Sequence, residues 1–338
     1  MVSFVAQPED AEREVMLDFV WGTESAALRA GRGMGWGNKE AADPAAVDGM
    51  RGMLDLINFH GVVVIGEGEK DRAPMLYIGE HVGKNRTVEP VDVAVDPLEG
   101  TRLVANGLPN AMSVFVAAAA GSLASPPAYY MNKIAVGPAA AGHIDINAPV
   151  RENLRVVAAA LRRKVRDLTV VILGRPRHDW LIQEVRECGA RIKLISDGDV
   201  SGGISTALPE TGVDMLMGIG GAPEAVLTAA ALKCLGGEIQ AKVWYPTEQE
   251  QAQAEARGVD LAKIWETNDL AAGDSLIFTA TGITDGELLK GVRYYGDKAR
   301  THSLVMRART HTVRFIEAYH DLRFKTTRSQ KRQGEQKI

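Results

Sequence analysis

LTVVILGRPRHD, Leu168–Asp179, is an apolar run of strand length that ends abruptly in charge. Helical spacing then takes over across Trp180–Cys188. The same rhythm returns twice. RIKLIS runs into DGD, Asp197–Asp199, with a helix beyond SGG. VDMLMG runs into IGGAPE, Ile219–Glu224, with a helix over Ala225–Leu235. Strand, polar loop and helix in succession predict a largely parallel sheet covered by helices. In such sheets ligands bind beyond the carboxyl ends of the strands, where these polar loops fall.

Toward the N-terminus the elements are more varied. A helix is predicted over Asp10–Arg29, where Met16, Phe19 and Val20 form an apolar stripe. GRGMGWGNKEAAD follows, and its glycines at 31, 33, 35 and 37 would let the backbone approach a ligand closely. Asp43 before Pro44 reads as an N-cap, with Val47, Met50, Leu54 and Ile57 at helical spacing after it. GVVVIGEGEKDRAP, Gly61–Pro74, reads as a buried strand entering a polar loop, and Met75–Val82 as another helix. Val91–Asp96, Met112–Ala118 and Ser275–Ala280 read as strands, and Gln249–Gly258 as a surface helix. Lys325–Ile338 is charged without apolar periodicity, the pattern of a disordered tail. The expected division is 1–152, 153–325 and a tail at 326–338.

With 338 residues and 46% apolar content the chain supports one large or two medium cores. A net charge of −4 argues against a polyanion such as nucleic acid as partner. Apolar runs such as VFVAAAAG are far shorter than a membrane span. Cys188 and Cys234 sit at the ends of amphipathic helices and read as small buried residues rather than a reactive pair. The acidic N-terminal stretch and sparse cysteine point to a reducing cytoplasm.

VDVAVDPLEGTR, Val91–Arg102, carries the densest chemistry. Asp92, Ala94 and Asp96 share one strand face, and Val91, Val93 and Val95 the other. Pro97 cannot donate to a ladder, so the strand is expected to stop there, with Glu99 folding back beside Asp96. Two readings stay open. One is an Asp-Pro turn with Thr101 capping a short helix. The other is a metal site, because adjacent carboxylates repel unless a cation or proton lies between them. Oxygen ligands of this kind suit magnesium or manganese. Glu67, Glu69 and Asp71 alternate in GEGEKD, as a solvated acidic loop or as a second carboxylate-loaded strand end. Asp43 is either a plain N-cap or a further acid for that site.

The later loops carry complementary groups. Arg175 and Arg177 flank Pro176, as a basic surface loop or as two forks for phosphate, while His178 reads as helix-capping or structural. Asp197, Gly198 and Asp199 form either a tight acidic turn or an acceptor for sugar hydroxyls. Gly220 and Gly221 precede a helix N-terminus, a natural anion site. Glu224 lies in that helix's first turn, where the dipole favours it and where it could also reach a metal. Carboxylate-held metal beside phosphate-binding groups implies metal-assisted phosphoryl chemistry. A GxxxxGK[ST] loop is missing, so a P-loop kinase is disfavoured, and no GxGxxG follows a strand.

DPLEGT resembles the DPxD/EGT signature of the lithium-sensitive, metal-dependent sugar-phosphatase superfamily. Together with NKEAAD, VVIGEGEKDRAPMLYIGE, YMNK, RPRHD, ISDGDVSGGIS and MGIGGAPEAV it is similar to the class II fructose-1,6-bisphosphatases, in order and spacing from about Asp18 to Val313. The second half most resembles the cyanobacterial type, which also hydrolyses sedoheptulose-1,7-bisphosphate. The resemblance implies an α/β (α+β) fold, a layered α-β-α-β-α sandwich of two domains. It implies Mn2+ or Mg2+ held by Asp43, Glu67, Asp96, Glu99 and Glu224, with Thr101 orienting or deprotonating the attacking water. Lys39, Glu69 and Asp71 would line the same site. Substrate contacts would come from Glu99, Gly100, Thr101, Tyr130, Arg175, Pro176, Arg177, Asp197, Gly198, Asp199 and Gly221. Trp36 and Ala41 depart from the family pattern, which has a basic or apolar residue and a threonine there. The expected activity is metal-dependent hydrolysis of the C1 phosphate of fructose-1,6-bisphosphate to fructose 6-phosphate and phosphate, in gluconeogenesis or the Calvin cycle, with sedoheptulose-1,7-bisphosphate as a further substrate and a homodimer or homotetramer as the assembly. An inositol-monophosphatase-like enzyme of the same superfamily and a catalytically silent sugar-phosphate sensor are the alternatives.

Overall fold

Chain order and spatial order part company after Ala120. The structure, a computed structural model, describes residues 11–68, 73 and 75–324, with backbone alone for 11–14. One unit takes in the described residues up to Ala120, Ile277–Met306 and those from Val313 on; the other is Gly121–Leu276 with Arg307–Thr312. The division 1–152 and 153–325 read from the sequence follows the chain in order and so differs from this one. The tail reading, 326–338, lies outside the described residues.

The chain opens with α1 (Ala11–Ala30), α2 (Lys39–Leu54), β1 (Gly61–Ile65), β2 (His81–Val82), β3 (Val91–Glu99), α3 (Thr101–Asn106) and β4 (Met112–Ala119). The second unit supplies β5 (Tyr130–Val136), α4 (Val150–Ala160), β6 (Thr169–Leu173), α5 (Asp179–Glu187), β7 (Arg191–Ile195), α6 (Asp199–Ser205) and β8 (Met215–Gly221). It continues with α7 (Ala222–Leu235), β9 (Glu238–Trp244), α8 (Glu248–Ala256), β10 (Trp265–Glu266) and α9 (Thr267–Leu270). Then come β11 (Leu276–Gly282), β12 (Arg293–Tyr295), β13 (Lys298–Arg307) and β14 (Thr312–Asp321).

In the first unit the sheet order is β12-β13-β11-β4-β3-β1-β2, with β14 paired to β13. Helices α1 and α2 pack together and α1 lies over β3 and β4. Their apolar stripes meet the valine face of β3, so Phe19, Val47, Met50 and Leu54 form one core with Val93, Val95 and Phe115. Phe19 meets Phe59 edge-on at 5.0 Å and Phe115 at 4.7 Å. Buried hydroxyls tie the returning strands to α1. Thr23 Oγ1 lies 2.8 Å from Thr281 Oγ1, and Thr301 Oγ1 donates to Glu24 at 2.9 Å.

In the second unit the order is β10-β9-β5-β8-β6-β7. Strands β6, β7 and β8 are parallel, as their strand–loop–helix rhythm implies. Strand β5 runs antiparallel to β8 and β9, so the sheet is mixed rather than wholly parallel. Ile134, Val136, Val170, Ile172, Met215 and Met217 face α4 and α5. Met131, Lys133 and Ala135 therefore face the other way, toward α6 and α7.

Three local expectations give way. Met75–Val82 is not a helix: Val63 donates to Glu80 O and Gly79 to Val63 O, so this segment spends its backbone bonds on β1. Asp43 is not an N-cap. Asn38 takes that role, accepting from the Ala41 amide at 3.2 Å, and Asp43 falls one turn inside α2 with Pro44 following it. Nor does β3 stop at Pro97. It runs on to Glu99 through a register shift, with Asp96 opposite Val114 and Glu99 opposite Met112.

Candidate active site

That register shift builds the acidic pair. Three steps on β3 match two on β4, so one extra residue bulges out around Pro97. Without it, residues 96 and 99 would point to opposite faces; with it, Leu98 joins the apolar core and Glu99 returns to the face of Asp96. A carboxylate oxygen of Asp96 and one of Glu99 lie within 4.8 Å of each other. The Leu98 amide donates to Asp96 Oδ1 at 3.0 Å, which fixes the first of the two. Gly100 occupies the N-cap position of α3 at φ 91°, where a side chain would be strained, and Thr101 is the first helical residue rather than the cap. Thr101 Oγ1 donates to Leu98 O at 3.4 Å.

Two further acids join from other elements of the same unit. Glu67 stands just beyond β1, its amide donating to Leu76 O at 3.0 Å. Gly66 lets that carbonyl come close; a Cβ there would sit 2.1 Å from Leu76 O. Burial, with the charges of Asp43 and Asp96 beside it, pushes the Glu67 carboxyl up to about 8. Burial also raises Asp43. Asp43, Glu67, Asp96 and Glu99 thus bring carboxylates from α2, from just beyond β1 and from β3 into one acidic group. Like charges held together in a partly buried setting, with only oxygen donors, fit a hard divalent cation. Lys39 is exposed at the start of α2, and Glu69 and Asp71 lie outside the described residues. The glycine-rich loop is pinned to α3, Gly35 and Gly37 donating to Val104 O and Ala105 O at 2.9 and 2.8 Å.

The second unit gathers the basic and sugar-binding candidates at the ends of β6, β7 and β8. Pro176 opens a short 3-10 turn to His178. The Arg177 fork is partly engaged already: Nη2 and Nε donate to Ile219 O at 2.8 and 3.3 Å, and the guanidinium lies 5.4 Å over the Tyr130 ring. Trp244 meets Tyr130 edge-on at 6.1 Å. His178 grips the same residue from the other side, its Nε2 accepting from the Ile219 amide at 2.7 Å and its Nδ1 donating to Leu173 O at 2.7 Å. Burial holds the His178 pKa below its usual value, which suits a neutral ring with one donor and one acceptor nitrogen. Of the two sequence readings of His178, helix cap and structural residue, the second holds: it stands at the N-cap position of α5, but its side chain makes no cap bond and instead bridges Leu173 and Ile219. Arg175 is half-buried beside this turn.

Asp197 is half-buried, Gly198 holds the N-cap position of α6, and Asp199 is the buried first residue of that helix. Gly221 holds the N-cap position of α7, and Glu224 falls in its first turn. The expected anion seat at this helix start is already flanked by an acid: a Cβ on Gly221 would meet Glu224 Oε2 at 1.8 Å. Sequence reasoning missed Lys133, which is 3% exposed and bonded to Asp199 and Gly221. Its signal was present, a lysine in the middle of the apolar strand YMNKIAV. The Cys234 thiol, buried, is pushed up to about 12, so this cysteine is packing rather than chemistry.

Comparison with known proteins joins these features. Fructose-1,6-bisphosphatase 1 class 2 of Escherichia coli K12 is 45% identical over 323 residues, covering 92% of this chain and 96% of that protein. The fructose-1,6-bisphosphatases class 2 of Escherichia coli O6:H1 and Shigella flexneri match with the same identity and coverage. The family model for bacterial fructose-1,6-bisphosphatase, glpX-encoded, matches residues 13–320. A chain that carries this acidic group on α2, just beyond β1 and on β3, and matches the family over nearly its full length, belongs to the glpX-encoded, class II fructose-1,6-bisphosphatases.

Proposed function

We propose that this protein hydrolyses the C1 phosphate of fructose-1,6-bisphosphate, giving fructose 6-phosphate and inorganic phosphate. One observation carries the reading beyond family membership: Glu67 is pushed up to about 8 by burial against Asp43 and Asp96. Such a group gains most from a cation, and Mg2+ or Mn2+ fits its oxygen donors. Asp43, Glu67, Asp96, Glu99 and Glu224 would hold it. Bound there, the cation supplies positive charge against the phosphoryl oxygens and makes water more acidic.

The chain's own residues do the rest. Thr101 Oγ1 gives its proton to Leu98 O, so its lone pairs are what it offers to an attacking water. By the family resemblance, Lys39, Glu69 and Asp71 would line the same site. Arg175 and Arg177, with Pro176 stiffening their turn, receive phosphate; Arg177 does so with the N–H groups that Ile219 leaves over. Tyr130, Asp197, Gly198, Asp199 and Gly221 contact the sugar, and Gly100 gives close backbone approach beside Glu99. The overall change is addition of water across the P–O bond, the sugar oxygen leaving with a proton.

Sedoheptulose-1,7-bisphosphate is a second substrate in this reading. The protein works in the cytoplasm as a homodimer or homotetramer, without nucleic acid or membrane as partner. Among the described residues no helix is long and apolar enough to cross a membrane. Phosphate release from a panel of sugar bisphosphates, with Mg2+ or Mn2+, tests the proposal. Release from fructose-1,6-bisphosphate that stops on chelation is the expected result. Turnover of inositol monophosphate alone, or of nothing in the panel, would overturn it.

A further inference from the structure

A lysine buried at the centre of a strand needs an explanation, because moving an ammonium out of water is costly unless it is paired. Lys133 is 3% exposed, on β5, between Asn132 and Ile134. It faces α6, and its Nζ donates to Asp199 Oδ2 at 2.5 Å and to Gly221 O at 3.1 Å. Asp199 is itself 8% exposed, so both charges of the pair are withdrawn from solvent.

The pair joins segments that are remote in sequence. Asp199 begins α6, beyond β7; Gly221 ends β8; Lys133 comes from the neighbouring β5. The space over Gly220 is given up to it: a Cβ there would fall 2.0 Å from Asp199 Oδ2 and 2.7 Å from Lys133 Nζ. The glycine at 220 thus serves the ion pair rather than an anion at the helix start. With Oδ2 bound to Lys133, the carboxylate has one orientation, and Oδ1 remains to accept a hydroxyl.

We propose that Lys133 is a positioning residue for substrate: it acts through Asp199 and the Gly221 carbonyl to hold the sugar-binding loops after β7 and β8. This role rests on Asp199 being a substrate contact, as in the function proposed above. Of the acids proposed for the metal, Asp43, Glu67, Asp96 and Glu99 belong to other elements, whereas Glu224 lies in the first turn of α7 beyond Gly221, so Mn2+ affinity is the readout that separates a sugar-positioning role from a metal-site one.

A double-mutant cycle tests it, with Lys133→Met, Asp199→Asn and both together. KM and kcat for fructose-1,6-bisphosphate are measured with saturating Mn2+, and Mn2+ affinity by calorimetry. Each single change raises KM by about tenfold or more while kcat stays within about threefold. The double variant is no worse than Asp199→Asn, because Lys133 has nothing left to orient. Mn2+ affinity is unchanged throughout. Should Lys133→Met alone fail to fold, the double variant, which buries no unpaired charge, still decides against Asp199→Asn: equal KM supports the role. An unchanged KM in Lys133→Met, KM increases that multiply in the double variant, or a parallel loss of kcat and Mn2+ affinity would overturn it. Failure of the parent protein to hydrolyse any sugar bisphosphate would sink the function and this role together, and is read before any variant is made.

Discussion

Glu67 is the residue where environment most changes chemistry. Its carboxyl is pushed up to about 8 because burial and two neighbouring acids oppose its charge. Removing it relieves that repulsion, so Glu67→Ala should fold normally and melt no earlier than the parent in the absence of metal. The same variant should lose at least about 100-fold in turnover and most of the melting-temperature gain that Mn2+ confers, as scanning calorimetry with and without metal will show. His178 gives a pH prediction. Its pKa is lowered from 6.5 in the folded protein by burial, so the unfolded chain binds the proton more readily. The neutral ring's contribution is therefore complete above about pH 6.5 and shrinks as pH falls toward the depressed folded value. His178→Ala strands the Ile219 amide and should cost about 1–3 kcal/mol at pH 8, with a smaller difference from the parent at pH 5, read from urea unfolding. Cys234, with its thiol at about 12 and fully buried, should resist alkylation in the native protein at pH 8, while half-buried Cys188 reacts.

At the scale of elements, two short connections set the acidic site. The bulge at Pro97 puts Asp96 and Glu99 on one face, and the close pass of Leu76 O over Gly66 seats Glu67. Gly66→Ala places a Cβ 2.1 Å from that carbonyl, so the segment beyond β1 must shift. The expected result is a loss of about 1–3 kcal/mol in stability together with weaker Mn2+ binding, followed by thermal unfolding and calorimetry. The elements themselves were legible wherever local pattern and tertiary demand agreed. VVVI, VDVAV and LTVVIL became β1, β3 and β6, and the apolar spacing after Asp43 became α2. They were misread where a distant partner intervened. Met75–Val82 has helical spacing, yet β1 claims its backbone bonds. Pro97 forbids a ladder bond, yet a bulge carries β3 past it.

At the scale of the whole molecule, the chain finishes one sheet only after building another. β11, β13 and β14 return to the sheet of β3 and β4, and Thr281 and Thr301 bind α1 through buried hydroxyl contacts. A fragment of residues 1–152 would lack these strands and leave β4 as an edge. It should therefore fail to give a cooperative melt or dispersed amide spectra, where a self-sufficient 1–152 domain would give both.

The carboxylates at 43, 67, 96 and 99, the arginines around Pro176 and the strand–loop–helix order were determined by the sequence alone. Each is a matter of residue type and spacing, and hydrophobic periodicity acts over a few neighbours at a time. Which face Glu99 takes, why Gly220 must be small and what Lys133 is for were decided only in the tertiary structure. Those answers depend on pairing between segments far apart in the chain, 66 residues in the case of Lys133 and Asp199, and no local pattern encodes the partner.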